Sequence, residues 1–195
     1  MKKKIAMGWL LLLMGTAVVG AEIQNAAAES FKPNRTFKVA NGKISNKTMY
    51  AGNISCEIQN MKTFSADFKL TLLPKSKKET GFFSVCVDVG NAKWSYLINT
   101  AANGAYGIKK LHNPAEKTVR TQYFTEKTLS PDLFKNALAI NVEFKDGVFK
   151  IKFADQVFEQ KLNAASATLS FASYRQPVEI GELKISYEKD QVQQK

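Results

Sequence analysis

The sequence predicts an all-β protein, two antiparallel sheets packed face to face as a jelly-roll sandwich with one short helical turn. Three observations predict it. Apolar residues recur at every second position, the period of a half-buried strand, and not at helical spacing. Turn residues interrupt that alternation roughly every 8–12 residues. After residue 21 no stretch approaches the ~20 apolar residues that a membrane-crossing helix needs.

The elements follow in chain order. Lys2, Lys3 and Lys4 precede an apolar run from Ile5 to Val19, and Val19-Gly20-Ala21 supplies the small residues that a signal peptidase reads. Residues 1–21 are therefore read as a cleaved signal peptide, cut before Glu22. Export to the periplasm, the cell surface or the medium is the expectation. The lysine-rich leader looks bacterial. Residues 22–35, rich in Ala, Asn and Gln and holding Pro33, read as a flexible leader to a single domain over 36–188. The polar stretch 189–195 reads as a disordered tail.

Within the domain, Phe64, Ala66, Phe68, Leu70 and Leu72 share one strand face, and Ser65, Asp67, Lys69 and Thr71 the other. Phe83, Val85, Val87 and Val89 form a second apolar row, and Leu138, Ile140, Val142 and Phe144 a third. Lys145-Asp146-Gly147 is a tight-turn signal, followed by Phe149, Ile151 and Phe153. A turn over Ala154-Asp155-Gln156 leads into Val157–Leu162. Leu169 and Phe171 mark a further strand, and Leu183, Ile185 and Tyr187 the last. In the less regular middle, 93–99 and 104–111 read as a hairpin and 118–127 as a strand. Ser130-Pro131 has the cap-then-proline order of a helix start, and one short turn is expected there. Roughly ten to twelve short strands result, as in a sandwich whose inward rows bury one another.

Charge narrows the partners. The chain has 28 Lys+Arg against 17 Asp+Glu. Without the three lysines of the leader, 25 basic side chains face 17 acidic ones, a net of +8. The lysines alternate with apolar residues, as on the solvated face of a sheet, where they also discourage edge-to-edge pairing. The arginines are Arg35, Arg120 and Arg175, without the clustering that nucleic-acid binding requires. Cys56 and Cys86 are an even pair in an exported chain, so a disulfide between them is open, as is a buried free pair. Such a bridge, closing about 30 residues, would contribute about 3–4 kcal/mol. Two cysteines do not make a metal site, and the single aspartates of 88–93 and 144–147 are too few for calcium. No metal and no cofactor are expected.

From Phe64 onward the order of strands resembles the concanavalin A-like lectin/glucanase superfamily. The resemblance rests on "FSADFKLTLLP" with "GFFSVCVDVGNAKWSYLIN", on "ALAINVEFKDGVFKIKFADQVFEQKL", which is similar to laminin-G-like and 3-keto-disaccharide hydrolase-like domains, and on the closing "VEIGELKISY". It covers about 120 residues as a pattern of strands. It implies the sandwich fold and a bias toward glycans, and it assigns no site. The Glu-x-Asp-x-x-Glu run of the glucanase branch is missing. Glu179 and Glu182, or Glu143 and Asp146, do not supply the paired carboxylates of glycoside hydrolysis. The single histidine, His112, stands without a nucleophile elbow.

What remains is aromatic. Trp94, Tyr96, Tyr106 and Tyr123 lie in the irregular middle, with His112 and Arg120 as polar neighbours. Aromatic rings stack on the apolar faces of sugars while polar groups take the hydroxyls. Ligand binding is therefore assigned to Trp94, Tyr96, Tyr106, His112, Arg120 and Tyr123. The function expected is an exported, non-catalytic glycan-binding module. The alternatives are a glycoside hydrolase of the 3-keto-disaccharide hydrolase-like kind and a structural or adhesion protein that binds another protein. A glycan or polysaccharide is the expected partner.

Overall fold

The computed structural model describes residues 23–75, 79–100, 106–113 and 122–189. Fourteen strands run through them in two antiparallel sheets. They are β1 (Gln24–Ala27), β2 (Lys38–Ala40), β3 (Lys43–Asn46), β4 (Gly52–Ser55), β5 (Met61–Leu72), β6 (Gly81–Val89) and β7 (Ala92–Thr100), then β8 (Tyr106–Asn113), β9 (Gln122–Leu129), β10 (Leu138–Lys145), β11 (Val148–Phe153), β12 (Gln156–Lys161), β13 (Thr168–Tyr174) and β14 (Val178–Lys189). One sheet has eight strands in the order β12-β11-β10-β5-β14-β3-β2, with β1 also on β14. The other has six, in the order β4-β13-β6-β7-β8-β9. The expected jelly-roll sandwich is the fold.

The apolar rows read from the sequence form the core. Phe64, Ala66, Phe68 and Leu70 of β5 meet Phe83, Val85 and Val87 of β6 in one buried cluster that takes in the inward residues of β10, β11, β13 and β14. Phe171 is its centre, with ring centroids 5.3 Å from Phe31, 5.3 Å from Phe68 and 6.0 Å from Phe83. Fully burying one such side chain stabilises the fold by about 1.5–3 kcal/mol.

The turns are built as their residues require. Asp146 and Gly147 both have positive φ, 50° and 71°, the geometry of a two-residue hairpin turn. Ser130 caps the short 3₁₀ turn Pro131–Phe134 by accepting a hydrogen bond from the Asp132 amide. In β14 the buried positions run 178, 180, then 183, 185 and 187. The skipped residue is a bulge, with the register shifting between Gly181 and Lys184 and Glu182 at φ 54°.

The start of the chain corrects an expectation. Residues 22–35 do not form a loose leader where they are described. Gln24–Ala27 pairs with Lys184–Tyr187 of β14, Ala28–Ser30 make a second 3₁₀ turn, and Ala28 and Phe31 are buried in the core. The reason lies in the bulged, 12-residue β14, which outruns β3 and leaves backbone groups that β1 satisfies. Of the tail, residues 190–195 lie outside the described residues.

Candidate functional site on the six-stranded sheet

Strand pairing sorts the six-stranded sheet into rows across its width. Rows through Phe171–Val85–Tyr96 and Leu169–Val87–Trp94 face the core. The alternate rows face away from it. One runs Tyr174–Phe82–Asn99–Gly107, the next Ala172–Ser84–Leu97, the third Ser170–Cys86–Ser95, and the last Thr168–Asp88–Lys93.

This outward face has a floor and two ends. Ser84, Cys86, Ser95, Leu97 and Ser170 are buried, yet Cys86 and Leu97 stand apart from the core cluster. Ser84 Oγ and Cys86 Sγ lie 3.4 Å apart, and burial raises the Cys86 thiol above its usual pKa, against the smaller opposing pulls of Lys93 and the Ser84 and Ser95 hydroxyls. At one end Asp88 is tied down. Its carboxylate accepts a 2.7 Å hydrogen bond from Ser170 Oγ and pairs with Lys93 Nζ at 3.2 Å. At the other end Phe82 and Tyr174, both half-buried, hold their rings 5.8 Å apart and 40° from parallel. The Arg175 guanidinium sits over the Tyr174 ring, 4.9 Å from its centroid, and 3.3 Å from Glu79 Oε2. Asn99 stands beside Phe82, and Gly107 beside Asn99 keeps the row low. Tyr50, 76% exposed, is tied to the same end of β13, because Asn46 Nδ2 donates both to the Tyr50 carbonyl and to Ser173 Oγ, at 3.3 and 2.8 Å.

The residues assigned from the sequence are distributed differently. Trp94 and His112 are brought together, stacked with centroids 4.0 Å apart and planes at 13°, but in a core-facing row beside Val87. Tyr96 is corrected outright as a ligand contact. It is 1% exposed and packs on Phe149 and Phe158 of the opposite sheet at 5.1 and 6.0 Å. Its strand turns the more apolar of its two rows inward. Tyr106 pairs with Thr100 and Leu129, and Tyr123 with Leu111; their side chains lie outside the described residues, as does Arg120 altogether.

The disulfide is corrected too. Cys56 and Cys86 are both free and buried. Cys56 belongs to the core and Cys86 to the outward floor, so the sheet itself lies between them. Desolvation raises the Cys56 thiol as well, offset in part by its hydrogen bond with the Ile58 backbone, and neither thiol has the electropositive, open setting of a reactive cysteine.

Phe82 and Tyr174 are not among the residues assigned to ligand binding from the sequence. The signal was present. Phe82 precedes the inward row 83-85-87, and Tyr174 shares its period with Ser170 and Ala172. Each is thus an aromatic in a row otherwise made of small and polar residues. The carboxylates weighed from the sequence fall elsewhere: Glu179 and Glu182 pair with Lys43 and Lys69 on the eight-stranded sheet, both at 2.8 Å. Among the described residues no group of three or more His, Cys, Asp or Glu could hold a metal ion.

No family model matches the sequence, and no curated protein does. Solved structures do match in fold. A legume lectin-like domain from Entamoeba histolytica superposes with a TM-score of 0.58 at 11% identity, covering 84% of this chain and 91% of that one. The carbohydrate-binding module CBM66 from Bacillus subtilis gives 0.55 at 10%, covering 80% and 94%. The Crh5 transglycosylase in complex with NAG gives 0.56 at 9%, covering 87% and 84%. At these identities the likeness shows the fold alone, a jelly-roll sandwich shared with lectin-like and carbohydrate-binding domains.

Proposed function

We propose that this protein is an exported, non-catalytic glycan-binding module that works in the periplasm or at the cell surface. One observation carries the proposal: a half-buried aromatic pair, Phe82 and Tyr174, stands on the outward face of the six-stranded sheet, next to Asn99 and the low row at Gly107. A sugar ring laid on these aromatics would bury its apolar face, and the Asn99 amide and the Arg175 guanidinium would take its hydroxyls. The lectin and carbohydrate-binding folds among the structural neighbours support the same reading. A non-catalytic role is supported by the state of the face's own acid. Asp88 is held by Lys93 and Ser170 at one end of the face, and Glu79, paired with Arg175, borders the other end, so the two do not form the close pair that glycoside hydrolysis uses.

The test is a glycan array probed with the mature protein, then repeated with Tyr174→Ala and Phe82→Ala. The expected result is binding to a defined subset of glycans, weakened about tenfold or more by either substitution, with the melting transition retained. Equal binding by all three proteins would place recognition elsewhere, and absence of any glycan binding would remove the function.

A further inference from the structure

The aromatic pair is only part of what is assembled at this end of the sheet. Arg175 is held in place from several sides. It adopts φ 50°, a left-handed conformation that a non-glycine residue keeps only when its surroundings enforce it. The next residue, Gln176, is 2% exposed and fully engaged: its amide nitrogen donates to the Leu73 and Pro177 carbonyls at 3.1 and 2.8 Å, and its oxygen accepts from Thr100 Oγ1 at 3.1 Å. Gly81 makes room on the other side, since a Cβ there would lie 2.6 Å from the Arg175 carbonyl oxygen. The guanidinium is thus set over Tyr174 by a fixed backbone.

Its charge is poorly used within the protein. The one ion pair it makes among the described residues is to Glu79, through a single nitrogen at 3.3 Å. A charge-assisted hydrogen bond closes to about 2.7–2.9 Å, and a guanidinium fork takes a carboxylate through two parallel bonds. A second cation, Lys75, lies at the same end of the sheet on its core-facing side. Lys75 Nζ donates to the Glu79 carbonyl at 2.6 Å and to Thr100 Oγ1, a side chain of the inward row, at 3.0 Å. Its partial burial lowers its pKa, and the Glu79 carboxylate opposes that shift. Arg175, its side chain 46% exposed, and the Glu79 carboxylate therefore border the outward aromatic pair, while Lys75 lies on the core-facing side of the same end.

Resting on the glycan-binding reading, we propose that the glycan bound here is a polyuronate-like one, with a sugar carboxylate that enters the Arg175 fork while its ring stacks on Tyr174 and Phe82. Glu79 is the internal carboxylate with which the sugar competes. Neutral glycans would use the stacking half of the site and forgo the other.

The experiment is affinity electrophoresis of the full mature chain in gels containing polygalacturonate, alginate or hyaluronate, each beside its carboxyl-reduced, neutral form, with dextran sulfate to register attraction to any polyanion. At least one native polymer is expected to bind about tenfold or more tightly than its reduced form, a difference set by the strength of charged hydrogen bonds. Arg175→Lys, which keeps the charge and loses the fork, should abolish that difference while leaving retardation by dextran sulfate unchanged. Glu79→Gln should enlarge it. If native and reduced polymers bind alike, the carboxylate assignment is overturned while the glycan reading stands. If Arg175→Lys behaves as wild type, or weakens dextran sulfate equally, the fork is overturned and general charge accounts for the binding. If no polymer binds and the array is also blank, both readings fall together.

Discussion

The two sheets bury their inner faces in one core and turn different outer faces to their surroundings. The eight-stranded sheet shows long, charged side chains in cross-strand pairs: Lys43 with Glu179, Lys69 with Glu182, and Lys150 with Glu159, at 2.8, 2.8 and 4.0 Å. Most of these groups are well exposed, and their charges offset one another. The six-stranded sheet shows a floor of small, buried hydroxyl and thiol side chains, with aromatics and an arginine at one end and a covered ion pair at the other. The first face is organised for solvent. The second contains polar groups withdrawn from solvent and apolar rings partly left to it, the inverse of an ordinary sheet surface. That inversion is what a ligand would complete, and it is the reason the proposed site lies on the six-stranded side.

The largest expected effect tests what the two faces share. Phe171 joins the sheets through stacked and edge contacts with Phe31, Phe68 and Phe83. Phe171→Ala removes a fully buried ring and leaves a cavity, and should destabilise the protein by about 3–5 kcal/mol. Urea unfolding followed by far-UV and near-UV circular dichroism measures it. A single coincident transition, shifted to lower urea, is expected. Separate transitions for the two sheets would show that the faces belong to independently stable halves.

The long strands of this sandwich were legible because each repeats its period several times. β5, β6, β10 and β11 each place three or more apolar residues on one side, and the structure buries those rows. The strands at the start of the chain were not legible. β1 to β4 have three or four residues apiece, too few to show a period; β1, β3 and β4 are held by strands distant in sequence, and β2 by its hairpin with β3. Ile44, buried between exposed and polar neighbours, is one inward side chain of such a strand. Tyr96 illustrates a second limit. Alternation placed it with Trp94 on one face, but a two-residue period does not name which face meets the core. The answer depends on Phe149 and Phe158, which lie more than fifty residues away and belong to the other sheet. Arg175 marks a third limit, because its value as a fixed cation comes from the Gln176 network and the close approach of Gly81, both long-range.

The same ion-pair chemistry occurs on both faces, and the two settings predict different costs. Lys93 and Asp88 are each 25% exposed in their side chains, and Ser170 adds a hydrogen bond. Asp88→Asn leaves the Lys93 ammonium largely covered and without its counter-charge, and should cost about 1–2 kcal/mol in urea unfolding. On the other face Lys69 and Glu182 have side chains 50% and 66% exposed, so water and salt already screen them. Lys69→Ala should change stability by no more than about 0.5 kcal/mol, and added salt should erase even that difference. Glycan binding sharpens the contrast. Lys69 lies on the sheet opposite the aromatic platform, so Lys69→Ala should leave retardation by neutral polysaccharides unchanged. A stability loss at Lys69 as large as that at Asp88, or a loss of binding, would mean that the eight-stranded face is more than a solvated surface and that the division of labour between the sheets is drawn in the wrong place.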